Sequence, residues 1–251
     1  MATSKAKTRR KSNALVENIK TIIYAGLIAL VVRTFAFEPF NIPSGSMEPT
    51  LLVGDYLFVA KFSYGFSRYS FPFGWPPFSG RIFGRLPHRG DVAVFKYPRD
   101  NSTDYIKRIV GLPGDTIQVR EGLLYINGVL APRQPAGDFL ADDNGIRTVY
   151  RRYVETLPDG VKHDELKATD EGDANNTQVY VVPPDHVFAM GDNRDNSADS
   201  RFLNGVGFVP VENLIGRAEI IFFSMGGDYP WWQFWQWPFE IRWDRLLMPV
   251  R

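Results

Sequence analysis

The stretch DYIKRIVGLPGDTIQVREGLLYINGVL, residues 104–130, is built from short runs of β-branched and aromatic residues. The runs cover residues 105–110, 116–120, 123–126 and 129–130. Between them lie GLPGD at 111–115 and the pair Asn127-Gly128, which is a strong signal for a tight hairpin turn. Runs of this length, bounded by glycine and proline, are typical of strands rather than helices. The stretch therefore predicts short strands joined by turns.

The same composition extends to both sides of this stretch. Further strands are predicted at residues 55–62, 91–97, 179–182, 187–190 and 216–224. The 18 prolines and 22 glycines of the chain also favour strands and turns over long helices. Residues 63–90 are predicted to form an irregular loop, because their prolines remove backbone donors and block helix formation. The predicted fold class is mostly β.

A polar segment interrupts this predicted β body. Residues 131–177 are polar and weakly patterned, and strand character resumes only after them. We therefore predict an insertion subdomain at 131–177, within a main β domain made of residues 38–130 and 178–251.

The N-terminal region has the charge pattern of a membrane anchor. The first twenty residues carry six basic side chains and one acidic side chain, and an apolar run follows. A membrane span of about 20 residues is reached if Lys20 and Arg33 extend towards the two interfaces. This predicts a basic cytoplasmic tail at residues 1–17 and a transmembrane helix at 18–37. A cleaved secretory signal and a buried core helix are alternative interpretations.

Composition excludes several classes of function. The net charge of +1 provides no basic field for a nucleic acid, so no nucleic-acid partner is expected. The chain has no cysteine, which excludes disulfides, thiolate metal sites and a cysteine nucleophile. Its three histidines lack ligand spacing. We therefore expect no metal site and no cofactor.

The segment PSGSMEPT, residues 43–50, is the first candidate site. Pro43 and Pro49 stiffen it, and Gly45 allows another backbone to come close. Such a loop can present the Ser46 hydroxyl rigidly with a backbone N–H beside it, as acyl transfer requires. The Ser44 hydroxyl could donate to a developing oxyanion. The alternative is an ordinary turn rich in serine and proline.

A serine nucleophile needs a base, and Lys107 is the better candidate than any histidine. It interrupts the apolar strand 105–110, where Lys107 and Arg108 point to opposite faces, so one of them faces inward or lines a cleft. Burial removes hydration from an ammonium group, lowers its pKa and makes the neutral amine available as a base. The alternative is a lysine on an edge strand whose amine extends into solvent.

The segment GDNRDNSADSR, residues 191–201, is the third candidate. Its charges alternate in sign, although it directly follows a predicted strand. It could supply hydrogen bonds and salt bridges that fix the lysine. A surface loop or a calcium loop is the alternative, but the spacing lacks the central glycine and final glutamate of an EF-hand.

Together these segments closely resemble bacterial type I signal peptidase, a family of membrane serine proteases that use a Ser–Lys dyad to remove signal peptides from exported proteins. The matching segments are EPFNIPSGSMEPTL (38–51), GD (54–55), GDV (90–92), DYIKRIVGLPGD (104–115), GDNRDNSADSR (191–201) and GFVP (207–210). They occur in the order found in the family and cover roughly a third of the chain. The combination is far more specific than any one segment.

The resemblance implies a role for each matching residue. Ser46 would be the nucleophile and Lys107 the general base, with the Ser44 hydroxyl and the Ser46 N–H as the oxyanion hole. Ser197 would hydrogen-bond the Lys107 amine, and an Asp199–Arg201 salt bridge would brace the loop. Shallow pockets for small side chains at substrate positions −1 and −3 would involve Phe40, Ile42, Pro43, Met47, Leu51, Asp104, Tyr105 and Ile106.

The resemblance also implies a location and partners. The expected location is the bacterial inner (cytoplasmic) membrane, with a single span, a cytoplasmic N-terminus and the catalytic domain on the periplasmic face. The expected partners are the signal peptides of exported preproteins and the lipid bilayer, with the secretion translocon as a further candidate. The aromatic loop around Trp75 and the tract of Trp231, Trp232, Phe234, Trp235, Trp237 and Phe239 could contact lipid or cover the β core.

Two other functions are compatible with these residues. One is a conjugation-type pilin-processing peptidase or a self-cleaving repressor relative, which would share Ser–Lys chemistry. The repressor is disfavoured by the anchor and by the absence of a recognisable helix-turn-helix motif. The other is a membrane-tethered β-domain that binds exported chains without cutting them, and it would tolerate the loss of Ser46 or Lys107.

Overall fold

The computed structural model describes residues 3–71, 74–143, 146–226, 235 and 237–251. Within them the strands are β1 Phe37–Asn41, β2 Asp55–Ala60, β3 Val92–Lys96, β4 Asp104–Gly111, β5 Thr116–Arg120, β6 Leu123–Ile126, β7 Val129–Leu130, β8 Arg133–Asp143, β9 Ile146–Thr156, β10 Lys162–Lys167, β11 Tyr180–Val181, β12 His186–Met190, β13 Val209–Pro210, β14 Leu214–Ser224 and β15 Met248–Pro249. The α-helices of the same residues are α1 Thr3–Phe35 and α2 Trp237–Glu240. The predicted mostly β fold is confirmed.

Helix α1 is longer than the predicted span of residues 18–37, since it begins at Thr3 and ends at Phe35. Its apolar part, Ala14–Phe35, has a mean hydropathy of 1.8 and is exposed along almost its whole length. It contacts the body at its end, where Thr34 is buried and Phe35 packs against aromatic rings of the loop. The helix ends before residue 37 because Phe37 starts β1 and pairs with Ala60 of β2. An apolar helix of this length with so little protein cover is suited to anchor the chain in a membrane.

The largest sheet is antiparallel throughout. Its order is β1-β2-β14-β3-β4-β12-β13, and β15 pairs with β14. Strand β4 runs one residue beyond the predicted segment 105–110 at each end, and it lies between β3 and β12. The long strand β14 pairs with both β2 and β3, so it joins β1-β2 to the remaining strands of the sheet.

A smaller sheet has the order β11-β5-β6-β7. The predicted hairpin is present, since Asn127 and Gly128 connect β6 to β7 with φ angles of 55° and 76°. Two successive positive φ angles match the twist of the strands on either side, which explains the Asn-Gly pair at this turn. Strand β11 lies beyond the predicted insertion in sequence, and it pairs with β5.

The predicted insertion, residues 131–177, contains three of the described strands, although the sequence pattern predicts no strand there. Strands β8, β9 and β10 form an antiparallel sheet of order β10-β9-β8. The pattern is weak because charged side chains, among them Glu155 and Glu165, occupy buried positions that apolar residues would normally fill. Burial of these charges depends on partners from outside the insertion.

The aromatic loop at residues 63–90 is attached to the body by Arg81. The Arg81 guanidinium donates to the backbone carbonyls of Tyr64, Gly65, Val211, Glu212 and Leu214. Phe66 and Ile82 form an isolated β-bridge within the loop. Of the predicted lipid-facing tract, Trp231, Trp232 and Phe234 lie outside the described residues, and so does Pro72-Phe73 of the loop.

Candidate active site

Ser46 lies in a short 3₁₀ turn, Gly45–Met47, that follows β1. The turn is anchored at both ends, because the Ile42 amide donates to Asp55 O at 2.8 Å and the Leu51 amide donates to Met47 O at 2.9 Å. The Met47 side chain is fully buried in the core beneath the turn. Ser46 itself is 8% exposed, so its hydroxyl is held in a cleft rather than on the surface.

The Lys107 amine extends from β4 to Ser46, which lies in the turn after β1. Lys107 lies in β4 opposite Ala93 of β3, and it is 5% exposed. Its Nζ donates to Ser46 Oγ at 2.7 Å and to the Ile106 carbonyl at 3.0 Å. These contacts leave the nitrogen in direct reach of the serine proton, which is the geometry that a general base needs.

Burial lowers the pKa of Lys107 from 10.5 to about 8. The carboxylates of Asp199 and Asp192 oppose this shift because they favour the charged amine, whereas Arg201 adds to it. A substantial fraction of the amine is therefore neutral near physiological pH, and only the neutral amine can accept the serine proton.

Ser44 and Ser46 present their hydroxyls side by side. The two Oγ atoms are 3.5 Å apart, and Ser44 is exposed. A separation of this size makes only a weak bond between the two oxygens, so the Ser44 hydroxyl can turn towards a substrate carbonyl instead. The predicted oxyanion role of Ser44 and of the Ser46 N–H is compatible with this placement.

The segment 191–201 packs directly beneath the nucleophile turn. The predicted ion pair is present, since Arg201 Nε and Asp199 Oδ1 are 2.8 Å apart. Asp199 Oδ2 also accepts from the Gly191 amide at 3.0 Å. A Cβ at Gly191 would lie 2.3 Å from Ser197 Oγ and 2.5 Å from the Ser46 carbonyl oxygen, so only glycine fits here. The lack of a side chain at Gly191 therefore lets this segment pack directly against the Ser46 backbone.

Ser197 differs from its predicted contact. Its hydroxyl is buried beside Gly191, but it has no hydrogen bond to the Lys107 amine. The amine is directed instead by Ser46 and by the Ile106 carbonyl of its own strand. The predicted hydrogen bond between Ser197 and Lys107 is therefore not formed in this structure, and the role of Ser197 in orienting the amine stays a prediction.

Arg108 and Asp192 form a buried ion pair that the sequence reasoning did not identify. Arg108 Nε and Nη2 donate to the two oxygens of Asp192 at 2.8 and 2.6 Å, and both residues are essentially without solvent contact. Thr50 Oγ1 donates to the same carboxylate at 2.6 Å. Both Lys107 and Arg108 are thus buried, although only one of them was expected to face inward. An arginine within an apolar strand was a signal for a distant carboxylate.

The residues predicted to contact a substrate lie in the two segments that lead to Ser46 and Lys107. The first contributes Phe40, Ile42, Pro43, Met47 and Leu51, and the second contributes Asp104, Tyr105 and Ile106. Met47 and Leu51 have no exposed surface and pack in the core beneath the cleft. Contact of these eight residues with a substrate stays a prediction. In the described part of the chain, no group of three His, Asp or Glu side chains is placed to hold a metal ion.

Comparison with known proteins identifies the family to which this site belongs. The family model for signal peptidase, peptidase S26, matches residues 15–223. A signal peptidase I from Rickettsia typhi is 42% identical over 231 residues, which cover 88% of this chain and 85% of the relative. A signal peptidase I from Rickettsia conorii is 44% identical over 213 residues, covering 82% and 77% of the two chains.

A crystal structure of a signal peptidase I from Enterococcus faecalis is also similar, with 29% identity and a TM-score of 0.31. It covers 53% of this chain and 97% of that chain. The sequence matches, which span most of the chain, decide the assignment. This protein belongs to the signal peptidase family, peptidase S26, and is a serine peptidase whose N-terminal helix is long and apolar enough to cross a membrane.

Proposed function

We propose that this chain cleaves N-terminal signal peptides from exported preproteins, with Ser46 as the nucleophile and Lys107 as the general base. The observation that carries the proposal is the 2.7 Å contact between Lys107 Nζ and Ser46 Oγ inside a buried cleft. The names of the relatives, signal peptidase I, support the choice of substrate. The matching segments and the anchor agree with it.

The contact allows acyl transfer in two steps. The neutral Lys107 amine takes the Ser46 proton while Ser46 Oγ attacks the scissile carbonyl carbon, and the resulting oxyanion accepts from the Ser44 hydroxyl and the Ser46 N–H. The ammonium then gives its proton to the leaving amine, so the peptide bond breaks and an ester forms at Ser46. Water attacks this ester with Lys107 again as the base, which releases the signal peptide and the free serine.

An open sheet edge beside the dyad supports binding of an extended peptide. Strand β12 pairs with β4 only from Arg108 to Gly111. Among the residues described, no strand pairs with the same edge of residues 104–107, while β3 covers their other edge. A substrate strand can add there through main-chain hydrogen bonds, and side-chain pockets then provide the specificity.

Cleavage of a precursor with an Ala-x-Ala site tests the function directly. We expect the purified full chain in detergent to cut after the second alanine, because shallow pockets accept small side chains at positions −1 and −3. Replacing the −1 alanine with leucine should lower kcat/KM by roughly 100-fold or more, since a larger side chain does not fit. A serine at −1 is the matched control and should be cut well. Equal cleavage of all three precursors would contradict the proposal.

We further propose that the body rests on the outer face of the cytoplasmic membrane, with the basic N-terminus inside. Phe35, the last residue of α1, packs edge-on against Phe66 and Phe71 of the aromatic loop, at centroid distances of 5.7 and 5.8 Å. The loop therefore lies level with the exit of the anchor from the bilayer. Its exposed Trp75 and Phe83 are suited to the lipid interface.

Single-cysteine labelling tests the position of this loop, because the chain has no cysteine of its own. We expect a polarity-sensitive dye on Phe83→Cys, in the full chain reconstituted into vesicles, to emit as in lipid and to be quenched from the bilayer. The dye on Val149→Cys, an exposed position of β9, should emit as in water. The same aqueous emission at both positions would reject the proposed placement.

A further inference from the structure

A buried ionic cluster lies behind the nucleophile turn and takes no part in the chemistry described above. The insertion contributes Glu155 from β9 and Glu165 from β10, which are 1% and 0% exposed. Both carboxylates contact Arg194, on the segment that follows β12. Arg194 Nη1 lies 2.7 Å from Glu165 Oε2, and its guanidinium donates to both oxygens of Glu155. Arg133 of β8 balances the second carboxylate at 3.2 Å.

The two carboxylates of this cluster differ in their pKa. Burial, together with the charge of Glu155, raises the pKa of Glu165 to about 7, although Arg194 opposes the shift. Burial raises the pKa of Glu155, but Arg194 and His163 outweigh burial and hold this pKa below its ordinary range. Burial lowers the pKa of His163, which lies 3.3 Å from Glu155, while the carboxylates of Glu155 and Asp192 oppose this shift. Buried charges are retained only where partners compensate their lost hydration. Arg194 is therefore fixed from two strands of the insertion.

The backbone of β10 holds the same segment. The Leu166 amide donates to Asp192 O at 2.8 Å, and the Arg194 amide donates to Leu166 O at 3.0 Å. These bonds make an isolated parallel bridge between Leu166 and Asn193. Asn193 lies between Asp192 and Arg194, so these two bonds hold it against β10 of the insertion.

The other side of Asn193 contacts the nucleophile turn. Its backbone amide donates to the Ser46 carbonyl at 3.2 Å, and its Nδ2 donates to the Gly45 carbonyl at 3.2 Å. Asn193 thus holds two carbonyl groups of the turn, that of Ser46 through its backbone and that of Gly45 through its side chain. Through Asn193, a continuous set of bonds runs from the insertion to Ser46.

We propose that Glu155 and Glu165 are positioning residues for Ser46, acting through Arg194 and Asn193, so that the insertion aligns the nucleophile. The inference rests on the proposed role of Ser46. A nucleophile works only within a narrow range of distance and angle, and a displacement of about 1 Å can lower a rate by about 100-fold. Because Asn193 holds the Ser46 turn, the position of this turn depends on how firmly the adjacent Arg194 is held.

A triple variant that removes the two carboxylates together with Arg194 separates positioning from stability. In Glu155→Met/Glu165→Met/Arg194→Met these three side chains are replaced by apolar ones of similar volume, and replacements of this kind are often neutral for stability. Arg133 keeps Asp170 as a partner at 3.0 Å. We expect kcat to fall by roughly 10- to 100-fold, with KM and the unfolding temperature close to those of the wild type. A higher KM with unchanged kcat would instead assign these residues to substrate binding and overturn the proposal.

A double-mutant cycle tests whether the effect passes through Asn193. If the effect passes through Asn193, the fold-loss of kcat in the triple variant with added Asn193→Ala is smaller than the product of the two fold-losses measured separately. Independent effects that simply multiply would reject this route. Should the triple variant unfold, Glu155→Gln alone decides, because the amide keeps its shape but cannot accept both bonds from Arg194; unchanged kcat would then reject the proposal.

Two controls complete the experiment. Arg152 and Asp164 form a partly exposed pair on β9 and β10, away from Arg194, so Arg152→Met/Asp164→Asn should leave kcat unchanged. Ser46→Ala in the same assay separates the two levels of inference. If Ser46→Ala retains activity, the proposed nucleophile is wrong. If it is inactive while the triple variant behaves as the wild type, only the positioning role is rejected.

Discussion

Replacing Lys107 with alanine is expected to lower kcat for signal-peptide cleavage by about 10⁴-fold or more, because nucleophile and base act as a unit. In the described residues, Ser46 Oγ contacts the Lys107 amine at 2.7 Å and the Ser44 hydroxyl at 3.5 Å. Without the amine only a hydroxyl remains near the nucleophile, and a hydroxyl does not accept a proton at neutral pH. Steady-state cleavage of an Ala-x-Ala precursor measures the loss, and the unfolding temperature checks the fold.

The variants of Ser46 and Lys107 should agree with one another. Ser46→Ala is expected to be as inactive as Lys107→Ala, and the double variant should lose little more than either alone. The matched control is Lys162→Ala, since Lys162 is an exposed lysine of β10 and its loss should not change kcat. Activity of Lys107→Ala within about tenfold of the wild type would exclude the lysine base and favour a binding domain or another base.

The pH dependence of the wild type provides a second measurement of the same prediction. With the pKa of Lys107 lowered by burial to about 8, kcat/KM should rise with pH through that value, because deprotonation produces the base. Below it the rate should fall about tenfold per pH unit. Lys107→Arg should be inactive at every pH tested, since a guanidinium stays protonated. A flat wild-type profile through the neutral and alkaline range would contradict a lysine base.

The sequence predicted five strands of the main sheet closely, namely β2, β3, β4, β12 and β14, because their burial is apolar and local. It did not predict β1, β13 or β15. Strand β4 was predicted at 105–110 and spans Asp104–Gly111, and the Asn127-Gly128 turn was predicted from two residues. The dyad was harder, since a serine in a turn and a lysine in a strand are individually common. Only the combination of three distant segments pointed to Ser46 and Lys107, and their contact depends on how the sheet curls.

The remaining features could not be predicted because they depend on partners that are far apart in sequence. The insertion strands carry buried charged residues. Burial of the Glu155 and Glu165 side chains is tolerated because both carboxylates contact Arg194. The Ile106 carbonyl, which is the second partner of the Lys107 amine, is a backbone group and leaves no side-chain signal in the sequence. In the same way, nothing near Arg108 in the sequence points to Asp192.

The Arg108–Asp192 pair joins the strand that carries the base to the segment that supports the nucleophile. Arg108 follows Lys107 directly, and Asp192 precedes Asn193, which holds the Ser46 turn. Arg108 also donates to the Gly90 carbonyl at 2.8 Å, and Thr50 bonds the Asp192 carboxylate. The pair therefore fixes the distance between β4 and the segment 191–201, on which the geometry of both dyad residues depends.

Breaking this pair is expected to cause the largest loss of stability among single substitutions near the site. Asp192→Asn leaves the Arg108 guanidinium buried without a counter-charge, which should cost about 3–5 kcal/mol. For a chain of this size such a loss corresponds to a fall in unfolding temperature of roughly 6–20 °C. Thermal unfolding of the full chain in detergent measures it.

The charge-balanced double variant shows whether the loss comes from the unpaired charge. Arg108→Met/Asp192→Asn removes both charges, so much of the lost stability should return. Arg152→Met, which breaks a partly exposed pair, should change the free energy of unfolding by no more than about 1 kcal/mol. If Asp192→Asn unfolds at the wild-type temperature, the pair does not stabilise the junction between β4 and the nucleophile support. If the double variant is as unstable as the single one, the loss arises from the hydrogen bonds of Thr50 and Gly90 rather than from the buried charge.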